Sequence, residues 1–359
     1  MKNKNIITVT GIRPDFIRMS EIFKKLDENF NHILIHTGQH FDRLLSDVFF
    51  EELDIRLPDY NLEIGGVGKE HFHQMGDLSV KLIELIRKEK LNPDLVLFLG
   101  DSNSVTSAVS LKKEGFKIGH IEAGMRSYDK RMLEEINRVV CDHCSDLLFV
   151  YHENYKQKAM KENISEDSIF VVGNTIVEVV KKFKLIETKK EDKIILDIHR
   201  PENFKYKDRL ENILTFSNNM GDKYKLPVNM LKFKRTIDHI KDFNIDMSKY
   251  QWINQIELLP FKSYLNNVYH SKFIISDSGT AQEEPALLDT PVIVPRDYTE
   301  RPESIEDNCS YMINVNKKND LSWIFCENWL YSYKLTKKIN WLGDGMTSEN
   351  IIKILKEKL

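Results

Sequence analysis

Short apolar runs rich in Val, Ile and Leu alternate with longer amphipathic segments through the first half of the chain. Such near-continuous apolar runs are typical of strands that are buried on both faces of a parallel sheet, and the segments between them are long enough to form covering helices. The predicted strands are residues 6–10, 32–36, 95–100, 117–124 and 147–151. The pattern therefore predicts a doubly wound α/β domain in this half.

A second series of strands follows in the other half. Beyond an apolar run at 169–174, strands are predicted at 193–199, 226–231, 272–279 and 290–297. A lysine-rich stretch at about 178–192, interpreted as helical, connects the two series. We expect two Rossmann-like domains, 1–178 and 179–344, with a C-terminal helix at about 345–359 that packs on the first. Ligands of such sheets bind beyond the carboxyl ends of the strands, so we expect the domains to face a cleft with those ends.

Composition limits the classes of partner. The chain has 359 residues, more than one ordinary core holds, and a formal net charge of −3 that favours neither nucleic acid nor an anionic membrane. No run approaches the roughly 20 apolar residues of a membrane helix, and the N-terminus lacks the apolar region of a signal peptide. We expect a cytoplasmic protein without nucleic-acid or membrane partners. Cys141 and Cys144 have no second pair at zinc-site spacing, so no metal site is expected.

The strongest local motif is SDSGT, because it joins a predicted strand to a predicted helix, AQEEPALL. Gly279 permits close approach of the backbone, Ser278 and Thr280 offer hydroxyls, and a helix start offers free N–H groups to a phosphate. An ordinary helix cap is the alternative. Early in the same helix, Glu283 and Glu284 are candidates for accepting hydrogen bonds from the ribose hydroxyls of a nucleotide.

Basic side chains stand near several predicted strand ends. Arg13 follows the first strand, Arg18 lies one or two helical turns later, and Arg301 lies in TERPE of the second half. The planar guanidinium binds phosphate oxygens in pairs, so these arginines are candidates for binding a diphosphate. His199 and Arg200 end the first strand of the second domain, and that position favours an active-site role.

Acidic side chains follow the strands of the first domain. Asp101 ends one strand, Glu122 ends the next, and Glu134 lies in the helical segment beyond. Carboxylates at strand ends either cap the next helix or face the ligand crevice, and for Asp101 and Glu122 we favour the crevice. Glu134, Arg138 and Asp142 are spaced i, i+4, i+8, and for Asp142 we favour a salt-bridge ladder on one helix face.

Two nucleotide-binding motifs are excluded. GGVGKE has Glu63 where a Walker loop begins with glycine, and Lys69 is followed by Glu70 rather than Ser or Thr. No G-x-G-x-x-G follows the first strand, so no nicotinamide cofactor is expected.

Nine short motifs occur in the order in which they occur in the non-hydrolysing UDP-N-acetylglucosamine 2-epimerase family, which the chain resembles over residues 7–304. They are GIRPD, HTGQH, GDSNS, HIEAGMRS, EEINR, VGNT, HRPEN, DSGTAQEE and TERPE. The resemblance implies the glycosyltransferase-B-like fold, with two Rossmann-like domains around a deep cleft, usually in a homodimer. It also implies a reaction that uses carboxylates and no cofactor.

The resemblance assigns roles to individual positions. Asp101, Glu122 and Glu134 match the acid/base carboxylates of the family, and His199 joins them in the catalytic set. Substrate binding falls to the other matched residues and to their motif neighbours: Arg13, Arg18, Arg126, Arg200, Asn203, Ser278, Gly279, Thr280, Glu283, Glu284 and Arg301. The implied mechanism removes the C2 proton while the C1–O bond breaks, expels UDP to leave a 2-acetamidoglucal, and re-adds UDP after protonation from the opposite face.

Four positions depart from the pattern of the family. Phe233 stands where many members have the histidine of His-Pro-Arg-Thr, and Asp197 stands before IHRPEN where small or hydroxyl residues are common. Leu133 replaces a usual proline. Asp42 stands where bacterial members that are regulated by a second UDP-N-acetylglucosamine have glutamine, so we expect hyperbolic kinetics without activation by that nucleotide.

Alternative functions remain open from the sequence. A modified substrate, such as a UDP-2-acetamido-2,6-dideoxy-L-hexose or a diacetamido-uronate nucleotide, comes next after UDP-N-acetylglucosamine. A glycosyltransferase of the same fold shares a similar DSG-x-x-x-E nucleotide site, although glycosyl transfer needs no proton chemistry at C2. A catalytically silent nucleotide-binding homologue is the third alternative, because of Phe233 and Asp197.

Overall fold

A computed structural model describes residues 4–38, 47–66, 70–183 and 188–359, and the chain forms two compact units. The first unit comprises Met1–Lys182 together with Trp341–Leu359, and the second comprises Phe183–Asn340. The second unit is therefore an insertion near the C-terminal end of the first. Asp42 and Lys69, which enter the arguments on regulation and on the Walker loop, lie outside the described residues.

The first unit is built on a parallel sheet of seven strands in the order β3-β2-β1-β4-β5-β6-β7. Its strands are β1 (Asn5–Thr10), β2 (Asn31–His36), β3 (Tyr60–Asn61), β4 (Leu95–Leu99), β5 (Ile118–Ile121), β6 (Leu147–Val150) and β7 (Ile169–Val171). Its helices before the insertion are α1 (Arg13–Asn29), α2 (Asp47–Leu53), α3 (His71–Lys88), α4 (Ser107–Lys113), α5 (Leu133–Cys144), α6 (Glu153–Lys161) and α7 (Ile176–Lys182).

The second unit repeats this plan with six parallel strands in the order β10-β9-β8-β11-β12-β13. Its strands are β8 (Lys193–Asp197), β9 (Val228–Leu231), β10 (Ile253–Ile256), β11 (Ser271–Ser276), β12 (Val292–Val294) and β13 (Ser310–Met312). Its helices are α8 (Pro201–Phe204), α9 (Lys207–Tyr224), α10 (Lys234–Asp242), α11 (Phe261–His270), α12 (Glu284–Leu287), α13 (Pro302–Glu306) and α14 (Leu321–Thr336).

Hydrophobic side chains explain why the central strands lie where they do. All five residues of β4 are buried, and its Val96 pairs in register with Ile7 of β1. A strand that is apolar on both faces requires cover on both faces, which the crossover helices of a parallel sheet supply. The doubly wound α/β class predicted from the sequence is confirmed.

Each sheet has one topological switch point. In the first unit it lies between β1 and β4, and in the second between β8 and β11, because the chain winds outward from these pairs in opposite directions. Loops at the carboxyl ends of such strands splay apart and leave a crevice. Asp101 follows β4, and His199 lies just beyond β8, so both are near switch points.

Some elements differ from the sequence prediction. The helix predicted through about residue 192 ends at Lys182, and residues 188–192 have no regular secondary structure. The edge strands β3, β10 and β13 were not predicted, because they are two to four residues long and β10 has two exposed polar positions. Within the described residues, no helix combines the length and the apolar character needed to cross a membrane.

The chain ends in α15 (Thr347–Lys358), which packs on the first unit. The backbone N–H of Ser348 donates to Glu178 at 2.6 Å, and the side-chain amide of Asn350 donates to the carbonyl of Val172 at 3.2 Å. Lys25 of α1 pairs with Glu349 at 2.8 Å. These contacts join the last residues of the chain to elements made before the insertion.

Candidate active site

Two carboxylates lie at neighbouring strand ends of the first unit. Asp101 follows β4 and is partly exposed, while Glu122 directly follows β5 and is 4% exposed. The backbone of Glu122 has φ +69°, a left-handed conformation that costs a non-glycine residue on the order of 1–2 kcal/mol. Strained backbone of this kind persists where the surroundings fix it, and it concentrates at functional sites.

Buried arginines compensate the charge of these carboxylates. Arg18 of α1 donates to Glu122 Oε2 at 2.7 Å. Arg138 of α5 pairs with Asp101 and lies 3.8 Å from Glu122 Oε1. Tyr151, at the end of β6, donates to Glu122 Oε2 at 3.3 Å. Arg18 was predicted to contact a diphosphate, but in this structure its guanidinium is engaged by Glu122.

Asp15 adds a third carboxyl group that the site prediction missed. One of its oxygens accepts from the backbone N–H groups of Gly11 and Ile12, at 2.8 and 3.1 Å, which fixes the turn between β1 and α1. Burial, with smaller contributions from Asp101 and Glu122, raises the pKa of Asp15 to about 7 against the lowering effect of these hydrogen bonds. A carboxyl group that titrates near neutral pH is suited to general acid–base chemistry. Its position in GIRPD was the available signal.

Helix α5 contributes Glu134, and the helix is anchored by its neighbours. Glu134 is partly buried in the first turn, whereas Glu135 is 7% exposed and accepts from the backbone N–H groups of Ser127 and Tyr128. Asn137 donates to the carbonyl of Asp101 at 2.9 Å. The loop that carries Asp101 is therefore tied to the same helix that carries Glu134.

The surface ladder predicted for Asp142 is wrong. Asp142 is fully buried and accepts from His120 at 2.6 Å, from Arg126 at 2.7 Å and from the backbone N–H of Gly124 at 3.0 Å. Burial alone would raise its pKa, but His120 and Arg126 reverse the shift and lower the pKa. Gly124 is required here because its φ is +74° and a Cβ atom would lie 2.5 Å from the carbonyl oxygen of Tyr155.

His120 is held by oxygen atoms on both sides of its ring. Nδ1 faces Asp142, and Nε2 lies 2.7 Å from the carbonyl oxygen of Gly100. A carbonyl oxygen only accepts, so Nε2 carries a hydrogen, and a second hydrogen is shared between Nδ1 and the carboxylate. Burial lowers the pKa of His120, but Cys141 and Asp142 outweigh it and raise the pKa well above 6.5. The imidazolium ties β5 to the residue before Asp101.

Arg126 has a structural position rather than one open to a ligand. It is 2% exposed, its guanidinium donates to Glu162 through Nε and one terminal nitrogen, and the other terminal nitrogen donates to the carbonyl of Met125. Since these donors and the contact to Asp142 are satisfied inside the first unit, we no longer assign Arg126 to substrate binding. Arg13 is the first residue of α1, and its guanidinium lies 5.2 Å from the ring centroid of Phe49.

In the second unit, Asp277 organises the turn that contains SDSGT. Its carboxylate is fully buried and accepts from the backbone N–H groups of His199 and Arg200, at 3.0 and 3.1 Å, and from the side-chain amide of Asn203 at 3.0 Å. Burial raises the pKa of Asp277, and His199 opposes the shift. Asn203 is itself fully buried and braces this turn, so we correct its predicted role from substrate contact to support.

The single helix predicted after SDSGT is wrong. A 3-10 turn at Thr280–Gln282 and the four-residue helix α12 replace it, with Pro285 in the first turn of α12. The hydroxyls of Ser278 and Thr280 lie 3.1 Å apart, and both residues are partly exposed. These hydroxyls remain candidates for binding a phosphate. The elements that follow them are a 3-10 turn and a four-residue helix, so the N-terminus of a long helix does not contribute.

A buried cluster of ion pairs packs against the SDSGT turn at Gly279. Arg301 donates to Glu283 at 2.6 Å and to Glu300 at 2.6 Å, and all three residues are at most 2% exposed. A Cβ atom at Gly279 would collide with Glu300 and Arg301, which explains the glycine. Glu283 therefore holds Arg301 in place, and its predicted contact with the ribose is replaced by this role. Glu284 is 5% exposed and stays a candidate for binding the ribose hydroxyls.

His199 and Arg200 lie between β8 and α8 and are both partly exposed. Nδ1 of His199 lies 2.8 Å from Asp197 and 3.6 Å from Asp277. Within the described residues, these three side chains form the group whose atoms have the spacing of metal ligands. Each carboxylate oxygen already accepts a hydrogen bond from the protein, so we assign the group to hydrogen bonding and not to metal binding.

Comparisons with known proteins agree on one family. The family model described as UDP-N-acetylglucosamine 2-epimerase matches residues 24–356. A UDP-N-acetylglucosamine 2-epimerase of Methanococcus maripaludis is 35% identical, with 97% of each chain covered. A UDP-2,3-diacetamido-2,3-dideoxy-D-glucuronate 2-epimerase of Pseudomonas aeruginosa is 31% identical, with 88% of this chain and 89% of that protein covered.

A solved structure extends the likeness to the fold. The crystal structure of the Methanocaldococcus jannaschii UDP-GlcNAc 2-epimerase in complex with UDP-GlcNAc and UDP is similar with a TM-score of 0.87 and 34% identity. The match covers 98% of this chain and 99% of that one. The glycosyltransferase-B-like arrangement of two Rossmann-like folds expected from the sequence is the architecture of these neighbours.

Proposed function

Since the chain belongs to the UDP-N-acetylglucosamine 2-epimerase family, we propose that it inverts C2 of a UDP-linked 2-acetamido sugar, with UDP-N-acetylglucosamine as the substrate. The observation that carries this proposal is the pair of carboxylates at the ends of β4 and β5. Asp101 and Glu122 are held by buried Arg138 and Arg18 beside a third carboxyl group, that of Asp15. Proton removal and return at one carbon requires such a set.

The chemistry proceeds in two halves. One carboxylate removes the C2 proton as the C1–O bond breaks and the electron pair leaves with UDP, which gives a 2-acetamidoglucal. A carboxylic acid then returns a proton to the opposite face of C2 as UDP adds again to C1. Asp101, Glu122 and Glu134 are the proposed acid/base groups.

The second unit supplies groups suited to the leaving diphosphate. Arg200 is a cationic donor beside the turn, the raised pKa of His199 favours its cationic form, and Ser278 and Thr280 are partly exposed residues with hydroxyls. Preorganised donors of this kind stabilise charge that develops in a transition state. Arg301, fixed between two glutamates, is proposed to complete the UDP-binding set together with Glu284.

A modified sugar nucleotide is the second candidate, favoured by the 31% identity to the Pseudomonas aeruginosa enzyme named for a diacetamido-glucuronate. The experiment incubates each UDP-sugar with the enzyme in deuterated water and follows C2 by NMR. We expect deuterium at C2 of UDP-N-acetylglucosamine and appearance of its C2 epimer. The Asp101→Asn variant is the inactive control.

Two outcomes would reject the proposal. Sugar transfer to an acceptor without deuterium at C2 would identify a glycosyltransferase. The nucleotides to test are UDP-N-acetylglucosamine, a UDP-2-acetamido-2,6-dideoxy-L-hexose and the diacetamido-uronate nucleotide. Binding of UDP without turnover of any of them would identify a catalytically silent homologue. Exchange with the diacetamido-uronate nucleotide alone would keep the reaction and change the substrate.

We also propose a homodimer, which the family resemblance implies. Exposed apolar side chains on α3 and α5 support it, because Phe72 is 63% exposed, Leu133 56% and Ile136 55%. Light scattering on the full chain measures the mass directly, and a monomer at micromolar concentration would contradict this part of the proposal.

A further inference from the structure

Two of the positions that depart from the family pattern meet at one imidazole. Asp197 ends β8, and its Oδ1 lies 2.8 Å from Nδ1 of His199. Phe233 precedes α10, and its ring centroid lies 4.7 Å from that of His199 at an interplanar angle of 39°. The carboxylate holds one edge of the ring, and the phenyl group packs against the imidazole ring.

Asp197 is itself held in place. It is 5% exposed, and its second oxygen accepts from the Ser276 hydroxyl at 3.1 Å. The same hydroxyl oxygen accepts from the backbone N–H of Ser278 at 3.1 Å. Since the hydroxyl hydrogen is used toward Asp197, this chain of hydrogen bonds has one direction, from the SDSGT turn through Ser276 to the carboxylate. The carboxylate is therefore a rigid acceptor for His199.

The two ring nitrogens of His199 differ in their surroundings. Nδ1 donates to Asp197, whereas Nε2 has no hydrogen-bond partner among the described residues, and the side chain is 29% exposed. With Nδ1 committed as a donor, Nε2 accepts when the ring is neutral and donates a hydrogen to a ligand when the ring is protonated. A histidine whose Nδ1 is fixed by a carboxylate is held in one orientation, whether the ring is neutral or protonated.

The charges around the ring favour the protonated form. Burial alone would lower the pKa of His199, but Asp197 and then Asp277 outweigh it, while Arg200 opposes them, and the net effect raises the pKa. Tyr264 also interacts with Asp197, since burial, Asp197 and Glu284 all raise the pKa of Tyr264. The ionisable groups that interact with the pair are thus Asp277, Arg200 and Tyr264, and Glu284 interacts with Tyr264.

We propose that Asp197 is a positioning residue that, with Phe233 packed on the ring, holds His199 so that Nε2 presents its proton to the diphosphate of the UDP-sugar. This role rests on the proposed function and deepens it. A family position with a small or hydroxyl residue has become a carboxylate, and a family histidine has become a phenyl group.

The test titrates the ring directly. The full chain, labelled with ¹³C and ¹⁵N in histidine, is saturated with UDP, and the ring signals are followed from pH 5 to pH 9, with His199→Gln used to assign the signal. We expect the His199 pKa to fall by at least about one pH unit in Asp197→Asn, which is a tenfold change in the protonation equilibrium. Asp197→Glu, which keeps the charge, should restore part of the shift.

The kinetic counterpart is a pH profile of C2 exchange. In Asp197→Asn the alkaline limb of kcat should move to lower pH by the same amount, while KM changes less than kcat. Asp320→Asn is the matched control, because Asp320 caps α14, and its carboxylate accepts from Ser322 and Asn314 of the same unit. This control should leave both the ring titration and the profile unchanged.

The outcomes separate this inference from the proposed function. If the wild-type chain is active and His199 titrates identically in wild type and Asp197→Asn, the positioning role is overturned and the function stands. If the wild-type chain exchanges C2 of no UDP-sugar, the proposed function fails, and an unshifted ring titration would then reject the pairing as well. A shifted titration with an unshifted kcat profile would show that the pair forms but does not serve the reaction.

Discussion

The two units each place a histidine–aspartate pair near a switch-point strand, and the pairs differ in the second ring nitrogen. In the first unit, His120 has no exposed surface, and oxygen atoms face both nitrogens. In the second unit, His199 is 29% exposed, and only Nδ1 is bound within the described residues. The same two residue types thus form a closed internal brace in one place and a half-open donor in the other.

The difference teaches how a structural ion pair is distinguished from one available for binding. The His120–Asp142 pair continues into Arg126 and Glu162, so its charges are compensated inside the unit. The His199–Asp197 pair continues into the SDSGT turn through Ser276, whose neighbouring hydroxyls are partly exposed. The distance from Nδ1 to the carboxylate is similar in the two pairs, 2.6 Å for His120 and 2.8 Å for His199. The surroundings of Nε2 therefore distinguish the structural pair from the one available for binding.

The largest expected effect is the loss of catalysis when a carboxylate near the His120–Asp142 pair is replaced. Glu122→Gln should reduce C2 exchange by about 10²- to 10⁴-fold, since it removes a proposed general acid–base group. UDP affinity, measured by calorimetry, should change little. Glu114→Gln, a surface carboxylate paired with Arg87, is the control. An equal loss of UDP affinity and of exchange would contradict the acid/base role.

The next effect is on stability at the closed brace. Asp142→Asn should lower the free energy of unfolding by about 3–5 kcal/mol, because it leaves His120 buried without its counter-charge and removes one of the two carboxylates that pair with Arg126. Urea unfolding followed by circular dichroism measures the change. If the loss were as small as that of a surface carboxylate, the pair would not be the internal brace described above.

The pH dependence of stability should follow the same brace. The folded pKa of His120 is raised above its unfolded value, so its contribution to the free energy of unfolding is complete below about pH 6.5. It is lost as the pH rises through the folded pKa, with a slope of at most about 1.4 kcal/mol per pH unit. The measurement compares wild type with His120→Gln at pH 6, 7, 8 and 9. A difference that stays constant over this range would argue against a buried imidazolium.

The smallest effect is expected at the half-open pair. Asp197→Asn should lower the free energy of unfolding by about 1 kcal/mol or less, because His199 remains hydrated on one side. The same urea experiment measures it beside Asp142→Asn. A loss as large as that of Asp142→Asn would make the two pairs equivalent and remove the contrast between them.

Much of the fold followed from hydrophobic pattern alone, because buried parallel strands are continuous apolar runs. β4 and β11 illustrate this, since each has at least four consecutive buried residues in the predicted position. The short edge strand β3 has no such run, and its two residues are polar or aromatic. The helix after SDSGT was predicted as continuous, although the sequence contains Pro285, which lies in the first turn of a new helix there.

Side-chain roles were harder to predict than positions. Asp101 and Glu122 stand at the ends of β4 and β5, as the local pattern predicted, and their acid/base role stays a prediction. Asp142 and Arg126 were misassigned because their partners, His120 and Glu162, are brought close only by the tertiary fold. Helical spacing describes neighbours on one helix and contains no information about the strand beneath it.

The insertion of the second unit before the last helix affects the order in which the two units can complete their folding. The contacts of Ser348 and Asn350 with the first unit are made by residues that leave the ribosome after the whole second unit. The first unit therefore cannot complete its packing until residues 341–359 have been synthesised, and by then the whole second unit has been synthesised. We infer that the later-encoded unit is free to fold before the earlier one is finished.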